Sequence, residues 1–447
     1  TIYNIIFNLK IIRGEELINT HNFANIPLNI KVRNWPTVTI QIPVYTEPFE
    51  VIKNTLEAAK RAVERYTEIT GQKANIVVSD DGLMVFTNND LEGFLKKVNG
   101  KKEEDRTSVE REVLARIEYY RKNNIGWVAR PKPVPGLPYT ERKGKFKKAS
   151  NLNHTLRLSK KVFDLIREKG VTLQEALEEV LSLPEYKFTK VEGDIYIGEF
   201  ILLLDKDSIT PEEIIVRTIP EFIKDNKLAY TQHHTHPINE EENYFSKIIS
   251  YYTRLLYNIA IKSKVLTGAN PPFMGHNGFI RKSILEEVGY WNEDRVSEDL
   301  DFAMNVYKLG YHGKYIAYNG LYFGEAITRI HAEEAGKFYR YAYGAVEIIF
   351  NPIKEWLHKG IFRKEFKEYI KSPYVKWFEI ADLLIYKASF FNLALMTPFT
   401  LYMLVIPLIL TKKLIISIIF IFVIFNLSST VFSTLFEYKN TNLPYPT

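Results

Sequence analysis

The chain of 447 residues contains no cysteine. This absence excludes a disulfide framework, a thiolate zinc site, an iron–sulfur cluster and a cysteine nucleophile. It leaves oxygen ligands as the main way for this chain to hold a metal ion. A large excess of charge is also missing, because 59 Lys and Arg face 53 Asp and Glu and leave a formal charge of +6. So small an imbalance does not indicate a nucleic-acid-binding protein, and we expect no nucleic-acid partner.

Several short motifs that identify common enzyme classes are missing as well. No G-x-G-x-x-G follows the first apolar strand, and no G-x-x-x-x-G-K-[ST] loop, H-E-x-x-H or G-x-S-x-G occurs. These absences argue against a dinucleotide-binding protein, a P-loop kinase, a zinc protease and a serine hydrolase. The opening stretch has only a short apolar run and does not have the pattern of a signal peptide. Because the chain opens on Thr1, membrane helices that precede it stay an open alternative.

Two long uncharged runs lie near the end of the chain, at residues 388–411 and 414–436, and Lys412 and Lys413 separate them. Each run is long enough to span a hydrocarbon core of about 30 Å at about 1.5 Å per residue. The sequence therefore predicts a transmembrane helical hairpin over residues 388–438. A buried helical hairpin at a subunit interface is the alternative.

The segment before this hairpin, residues 351–387, combines basic and aromatic side chains. Its basic residues beyond position 358 are Lys359, Arg363, Lys364, Lys367, Lys371, Lys376 and Lys387. Trp, Tyr and Phe residues alternate with them, which is typical of an amphipathic segment on an anionic membrane surface. The basic flank also places the preceding domain in the cytoplasm by the positive-inside rule. We therefore expect a multi-pass membrane protein with a cytoplasmic catalytic domain.

The body of the chain, residues 36–350, has an α/β pattern, and residues 1–35 form a separate N-terminal segment. Apolar, β-branched runs at 38–44 and 74–79 predict buried strands, and the amphipathic stretch at 48–69 between them predicts a helix. Strand, helix and strand in this order form a βαβ unit with parallel strands. A third buried strand is predicted at 200–204, after helical segments at 103–123 and 159–183.

Acidic residues follow all three predicted strands. They are Glu47 after the first strand, Asp80 and Asp81 after the second, and Asp205 and Asp207 after the third. Ligands of open parallel sheets bind at the carboxyl ends of the strands. A row of carboxylates there repels itself unless a cation or a hydrogen-bond donor lies between them. Taken singly, each motif is also compatible with an ordinary turn or a helix N-cap.

These motifs resemble those of family 2-type glycosyltransferases with the GT-A fold, in particular their membrane-integrated, cellulose-synthase-like branch. The matching segments, in the order of that family, are IPVYTEP at 42–48, VVSDDG at 77–82, KASNLN at 148–153, LLLDKDS at 202–208, GHNGFIRKSILEEVGYW at 275–291 and SEDLDF at 297–302. The resemblance implies a GT-A (Rossmann-like, nucleotide-sugar-binding) catalytic domain followed by the membrane hairpin. It also implies the activity of a hexosyltransferase.

The resemblance implies roles for particular residues. Asp205 and Asp207 would hold Mg²⁺ or Mn²⁺, hard cations that prefer oxygen ligands and that would neutralise the departing diphosphate. The nucleotide sugar, expected to be a UDP-hexose, would be bound by Pro43, Tyr45, Glu47, Asp80, Asp81, Lys148, Asn151 and Asp205.

Asp299, with Glu298 beside it, would be the catalytic base that takes a proton from the acceptor hydroxyl as that oxygen attacks the anomeric carbon and inverts it. The alternative for Glu298 and Asp299 is an exposed first turn of a helix, where acidic residues are favoured. His276, Asn277 and Tyr341 would contact the acceptor.

The last motif of the family, Gln-x-x-Arg-Trp, corresponds to Lys337-Phe338-Tyr339-Arg340-Tyr341. Arg340 fits and would meet the departing diphosphate, so we count it among the catalytic residues. Gln is replaced by Lys337 and Trp by Tyr341. Because this motif holds the growing chain in polymerising relatives, the departure puts processive synthesis in question.

Two functions remain. The first is synthesis of a polysaccharide, such as a glucan, from a nucleotide sugar; this needs further membrane helices or partner subunits, because two helices cannot enclose a polymer channel. The second is a single sugar addition to a polyprenyl-phosphate or glycolipid acceptor. Membrane lipids are expected partners of both. The near-adjacent His233, His234 and His236 lack zinc-site spacing and are expected in a substrate groove or in solvent.

Overall fold

The computed structural model describes residues 31–266 and 268–386, together with residues 23–24, 27, 29, 390, 416, 419–420, 423–424 and 427. Apart from the seven separate residues between 390 and 427, the predicted hairpin at 388–438 lies outside the described residues, as does most of the predicted N-terminal segment. Among the helices within these bounds, none is both long enough and apolar enough to cross a bilayer.

Within the residues that the structure describes, a nine-stranded sheet forms the centre of the fold, in the order β1-β11-β8-β10-β6-β2-β3-β4-β5, and a small sheet has the order β7-β12-β9. The strands are β1 Phe23–Ala24, β2 Val38–Val44, β3 Ala74–Asp80, β4 Gly126–Ala129, β5 Lys190–Glu192, β6 Phe200–Leu203, β7 Ser208–Ile209, β8 Leu228–His233, β9 Thr235–Pro237, β10 Gly278–Arg281, β11 His312–Ile316 and β12 Phe323–Glu325. This α/β arrangement around a central sheet fits the expected GT-A-like fold.

Helices cover the sheet. They are α1 Phe49–Thr70, α2 Asp81–Phe86, α3 Leu91–Asn99, α4 Ser108–Lys122, α5 Lys148–Lys169, α6 Leu173–Ser182, α7 Ile214–Lys224, α8 Tyr244–Leu255, α9 Lys262–Leu266, α10 Lys282–Glu287, α11 Glu298–Lys308, α12 His331–Ile349, α13 Trp356–Lys359 and α14 Lys364–Lys371. A π-helical turn, Leu256–Ile261, joins α8 to α9.

The predicted βαβ unit is confirmed. β2 has the predicted bounds, β3 is one residue longer than predicted, and the two strands are parallel. α1 ends at Gly71, whose left-handed φ of 68° closes the last turn with a hydrogen bond to the Thr67 carbonyl. The strands form because their branched side chains are buried on both faces, among Ile52 and Leu56 of α1 on one side.

Two details of the sequence prediction are wrong. The segment predicted as one helix over 159–183 forms two helices, α5 and α6, because Gly170 in a left-handed conformation ends α5 and Thr172 caps α6. The helix predicted from residue 103 begins only at Ser108, where Thr107 and Glu110 form a capping box.

The sheet is mixed, since β10 runs antiparallel to both β6 and β8. Separate apolar clusters pack on its two faces, one with α1 and α4, the other with α5 and α11. The sheet is thus held between helical layers, which fixes the positions of the loops at its edges.

Candidate active site

The carboxyl ends of three parallel strands meet at one edge of the sheet. β2 lies between β3 and β6, and its register places Val44 opposite Asp80 and Pro43 opposite Ser79. Asp205 follows β6 by two residues. The fold thus brings the predicted strand-end residues to a common edge, and helices α5 and α11 add further charged groups.

Asp80 is fully buried and caps the N-terminus of α2. Its Oδ1 accepts hydrogen bonds from the backbone N–H groups of Gly82 (3.0 Å) and Leu83 (3.3 Å), while Tyr120 donates its hydroxyl to Oδ2 at 2.9 Å. Both carboxylate oxygens therefore have partners within the protein. In this arrangement Asp80 fixes the turn, and its contact with a nucleotide stays a prediction.

Arg116 of α4 is a residue that the sequence prediction missed. Its fully buried guanidinium donates to Asp80 Oδ1 at 2.9 Å, to the Tyr45 carbonyl at 2.9 Å and to the Glu47 carbonyl. It therefore ties the loop after β2 to the turn after β3. A signal exists in the sequence, because Arg116 falls between Val113 and Ile117 on the buried face of α4.

Gly82 allows this close approach of the two loops. A Cβ at this position would overlap the carbonyl oxygen of Tyr45 and press on the guanidinium of Arg116. The φ of Gly82 is not in the left-handed region, so backbone conformation does not require glycine here. Glycine is required because a side chain would not fit between the two loops.

Asp81 is held by two arginines from the segment between β4 and α5. Arg130 donates from Nε to Oδ1 at 3.0 Å and from Nη2 to Oδ2 at 2.6 Å, a two-point contact. Arg142 lies 3.5 Å from the same carboxylate. All three side chains are buried. These arginines were also missed, and the predicted nucleotide contact of Asp81 stays untested.

The loop after β2 is held by Glu47. Its Oε2 accepts the backbone N–H of Tyr45 at 2.7 Å, and its Oε1 lies 3.3 Å from Nζ of Lys206. The Tyr45 side chain is half exposed, at 50%. Its ring is therefore accessible at the sheet edge, and the contact of Tyr45 with a nucleotide sugar stays a prediction.

Lys148, the first residue of α5, connects the sheet edge to the rest of the site. Its ammonium donates to Asp205 Oδ1 at 2.6 Å and to the Gly275 carbonyl at 2.9 Å. Burial disfavours its charge, yet the carboxylates of Asp205, Glu298 and Asp299 together raise the pKa of Lys148. One ammonium therefore faces carboxylates from the end of β6 and from α11. One turn along, Asn151 donates to the Ser79 carbonyl at 2.8 Å.

Asp205 and Asp207 have opposite electrostatic environments. Burial opposes ionisation of Asp205, but the Lys148 ammonium, together with His276 and Arg340, lowers the pKa of this carboxyl. Burial and the neighbouring carboxylates of Asp205 and Glu325 raise the pKa of Asp207. Across residues 31–266 and 268–386, no three acidic or histidine side chains are already arranged as a metal-ligand set. A bound cation would nevertheless relieve the repulsion between Asp207 and the neighbouring carboxylates. The carboxylate oxygens of Asp205 and Asp207 therefore fit a divalent ion.

Glu298 and Asp299 begin α11 and are partly buried. Burial and the adjacent Asp299 carboxylate raise the pKa of Glu298 to about 7. A Cβ added to Gly275 would lie 3.2 Å from Asp299 Oδ2, so the glycine leaves this carboxylate open space. Gly275 also has a left-handed φ of 75°, which favours glycine. The two carboxyl groups therefore begin a helix whose first turn is partly buried rather than exposed.

His276 and Asn277 lie at the start of β10. Nε2 of His276 is 3.9 Å from Oε1 of Glu325, and its Nδ1 is buried without a hydrogen-bond partner. Asn277 is fully buried and donates to Thr235 Oγ1 at 3.2 Å. His276 is thus the better placed of the two for a ligand, and Glu325 is a further carboxylate that the sequence prediction missed.

Arg340 and Tyr341 lie on α12, which packs against the carboxylate pair through Gly344. A Cβ on Gly344 would overlap the hydroxyl of Ser297, the residue before Glu298. Arg340 is exposed, and its charge contributes to lowering the pKa of Asp205. Tyr341 is 39% exposed. Both side chains are therefore at the edge of the same site.

The prediction for the histidines after β8 is wrong for two of them. His233 and His234 are 1% and 2% exposed, because β8 is an interior strand flanked by β10 and β11. Nδ1 of His234 lies 2.9 Å from the Tyr315 hydroxyl oxygen, and burial lowers the pKa of His233 to about 3. His236 is partly buried against the ring of Tyr322. His233 and His234 therefore pack in the core and do not line an open groove.

Residues 200–435, more than half of the chain, match the model of a protein family described as "Glycosyl transferase family group 2". The chain belongs to this family. It is a glycosyltransferase.

Curated relatives include the poly-β-1,6-N-acetyl-D-glucosamine synthases of Staphylococcus epidermidis and Staphylococcus aureus. Each is 26% identical to the glycosyltransferase over 117 residues, which cover 26% of this chain and 28% of the relative. The chain therefore spans little more than a quarter of the length of the curated relatives that it matches.

Solved structures with a similar chain path include a mannosyltransferase, PcManGT from Pyrobaculum calidifontis, in complex with GDP-Man and Mn²⁺. It is 16% identical, with a TM-score of 0.42 and coverage of 92% of this chain and 89% of that one. Residues 1–349 of Staphylococcus aureus TarS in complex with UDP-GlcNAc are 13% identical, with a TM-score of 0.35 and coverage of 74% and 69%.

Proposed function

We propose that this glycosyltransferase transfers a hexose from a UDP-sugar to a glycan acceptor at a membrane, with inversion at the anomeric carbon. One observation carries the proposal. The Lys148 ammonium faces Asp205 at the end of β6 and the Glu298–Asp299 pair of α11 at once. The sheet edge proposed to bind the diphosphate and the carboxylate pair proposed to supply the base thus lie on either side of the Lys148 ammonium. A single-displacement transfer needs both of these groups close to the reacting carbon. The cellulose-synthase-like branch of the family is part of this proposal.

In the proposed reaction, Asp299 removes the proton from an acceptor hydroxyl. The oxygen forms a bond to the anomeric carbon while the bond from that carbon to the β-phosphate oxygen breaks, and the electron pair leaves with the diphosphate. Lys148 and Arg340 stabilise the charge that develops there. Glu298 shares its environment with Asp299, and its raised pKa of about 7 keeps Glu298 partly protonated at neutral pH.

Asp205 and Asp207 would hold a Mg²⁺ or Mn²⁺ ion, which when bound neutralises the leaving diphosphate. His276 and Glu325 lie next to them and add an imidazole and a carboxyl group. The uridine would be bound by the residues at the carboxyl edge of the sheet, Pro43, Tyr45, Glu47, Asp80, Asp81 and Asn151, with Arg116 and Arg130 as positioning residues. Tyr341 and His276 would contact the acceptor, and Asn277 would support them from its buried position.

The donor is testable with detergent-solubilised full-length chain, Mn²⁺ and a panel of radiolabelled nucleotide sugars. We expect release of nucleoside diphosphate from a UDP-hexose to exceed release from GDP-mannose, with the label transferred to product. Sizing of the product separates the two candidate acceptors. A ladder of long chains would support the polysaccharide synthase that the curated relatives' names suggest, whereas a single lipid-soluble product would support the polyprenyl-phosphate or glycolipid alternative.

We further propose that residues 351–387 lie on the membrane surface next to a catalytic domain, 36–350, in the cytoplasm, with the hairpin at 388–438 as the anchor. Large apolar side chains in this segment are exposed: Ile353 76%, Leu357 95%, Trp377 71% and Ile385 66%. Lysines such as Lys359 and Lys364 accompany them, as expected for an anionic lipid surface.

The membrane proposal predicts which tryptophans contact lipid. In vesicles made with brominated lipid, the bromine atoms should partly quench the tryptophan fluorescence of the reconstituted chain, because Trp356 and Trp377 contact the lipid. The double substitution Trp356→Phe and Trp377→Phe should abolish the quenching, whereas Trp127→Phe should leave it, because Trp127 is 3% exposed. Quenching that survives the double substitution would refute the placement of this segment.

A further inference from the structure

A groove of about 470 Å³ lies between α12 and the loop that precedes α5. Its lining includes Lys145, Phe146, Glu333, Lys337, Tyr339 and Arg340. Its volume is within the range of about 300–1,000 Å³ that is common for small-ligand sites. Apart from Arg340, none of these residues has a role in the proposed transfer.

Three cations line the groove with few acidic neighbours. Within the part of the chain that the structure describes, Lys145, Lys337 and Arg340 take part in no ion pair, whereas surface lysines elsewhere, such as Lys160 and Lys169, are paired with acidic groups. Glu333 is the one carboxylate in the described lining, and its Oε2 accepts the backbone N–H of Arg329. The groove therefore carries a net positive charge, because three cations face one carboxylate.

Aromatic rings accompany these cations. The Lys145 ammonium lies 4.4 Å from the ring centroid of Tyr343 and 5.6 Å from that of Tyr339, and the Arg340 guanidinium lies 5.6 Å from that of Phe146. The rings remain exposed, at 46% for Phe146 and 67% for Tyr339. Flat exposed rings suit the apolar faces of sugars, and the cations suit carboxylate or phosphate groups.

The groove adjoins the reaction centre on both sides. Phe146 is two residues before Lys148, which contacts Asp205, and α12 packs on Ser297, the residue before Glu298. A ligand in the groove would thus lie beside the two segments that carry Lys148 and Glu298.

We propose that this groove selects an acidic glycan acceptor, a sugar chain that carries carboxylate or phosphate groups, through Lys145 and Lys337. The inference rests on the proposed function, because it names the acceptor class of the same site. Sugar rings would stack on Phe146 and Tyr339, and the acidic groups would pair with the two lysines.

The test uses two probes of equal length: an acidic hexamer of alternating N-acetylglucosamine and glucuronate, and the neutral hexamer of N-acetylglucosamine. Affinity is measured with fluorescently labelled hexamers, and transfer with the labelled donor. We expect the wild-type chain to prefer the acidic hexamer and to lose the preference in high salt. Lys145→Ala with Lys337→Ala should reduce the preference about tenfold, since each exposed ion pair is worth about 2- to 5-fold.

The controls separate charge from folding. Lys145→Arg with Lys337→Arg should keep the preference, and Lys97→Ala with Lys122→Ala, two exposed lysines on α3 and α4, should not change it. Equal affinity for both hexamers, or tighter binding of a polyprenyl phosphate in detergent than of the acidic hexamer, would overturn the inference. Selective binding of the acidic hexamer without transfer from any nucleotide sugar would support the inference and count against the proposed function instead.

Discussion

Replacement of Asp299 with asparagine is expected to lower kcat by about 10²- to 10⁴-fold, the usual value of general-base assistance. The amide cannot take the acceptor proton, while its shape and its contact with Gly275 are kept. The KM for the donor should change little, because Asp299 acts on the acceptor. Steady-state kinetics with the labelled donor measure both quantities.

Two matched variants make this result specific. Asp294→Asn removes an exposed carboxylate five residues earlier and should leave kcat unchanged. Glu298→Gln tests the rival base, whose pKa of about 7 is also suited to proton transfer at neutral pH. We expect a smaller loss for Glu298→Gln than for Asp299→Asn. The reverse order would transfer the role of the base to Glu298, and full activity of Asp299→Asn would refute the assignment of that residue.

Removal of divalent metal is the second large effect. EDTA should abolish transfer, and Mn²⁺ or Mg²⁺ should restore it, because the leaving diphosphate needs a cation that Lys148 alone does not supply. Asp207→Asn should raise the Mn²⁺ concentration needed for half-maximal activity by at least about tenfold. Asp164→Asn, on the outer surface of α5, is the control and should respond to Mn²⁺ like the wild type.

Thermal unfolding gives a readout that does not depend on turnover. Saturating Mn²⁺ should stabilise the wild type, by about 2.7 kcal/mol at 100 times its Kd. Without metal, Asp207→Asn should itself be slightly more stable than the wild type, since it removes a buried carboxylate whose pKa is raised by burial and by Asp205 and Glu325. Its Tm should rise less than that of the wild type at the same Mn²⁺ concentration. Full activity of the wild type in EDTA would contradict a metal role for Asp205 and Asp207.

Local patterns predicted the first βαβ unit because each element carries its own periodicity. The buried run of β2 and the amphipathic α1 need no knowledge of distant contacts. The strand-end position of Asp205 follows from the same reasoning, since a carboxylate after an apolar strand lies at the edge of the sheet.

Long-range partners could not be predicted in this way. Arg116 and Arg130 lie 36 and 49 residues from the carboxylates they bind, and no local pattern indicates such pairs. The burial of His233 depends on β10 and β11, which cover β8 from both sides although they come later in the chain. The groove of Lys145 and Tyr339 likewise forms only when α12 folds back onto the loop before α5.

The anomeric configuration of the product decides whether transfer is a single displacement. It can be measured by proton NMR while the full-length chain consumes an α-linked UDP-hexose in the presence of Mn²⁺. Direct attack assisted by one base, Asp299, predicts that the first product formed is β-linked. An α-linked first product would contradict this mechanism. A single displacement assisted by Asp299 inverts the anomeric carbon, whereas an α-linked product means that the configuration is retained.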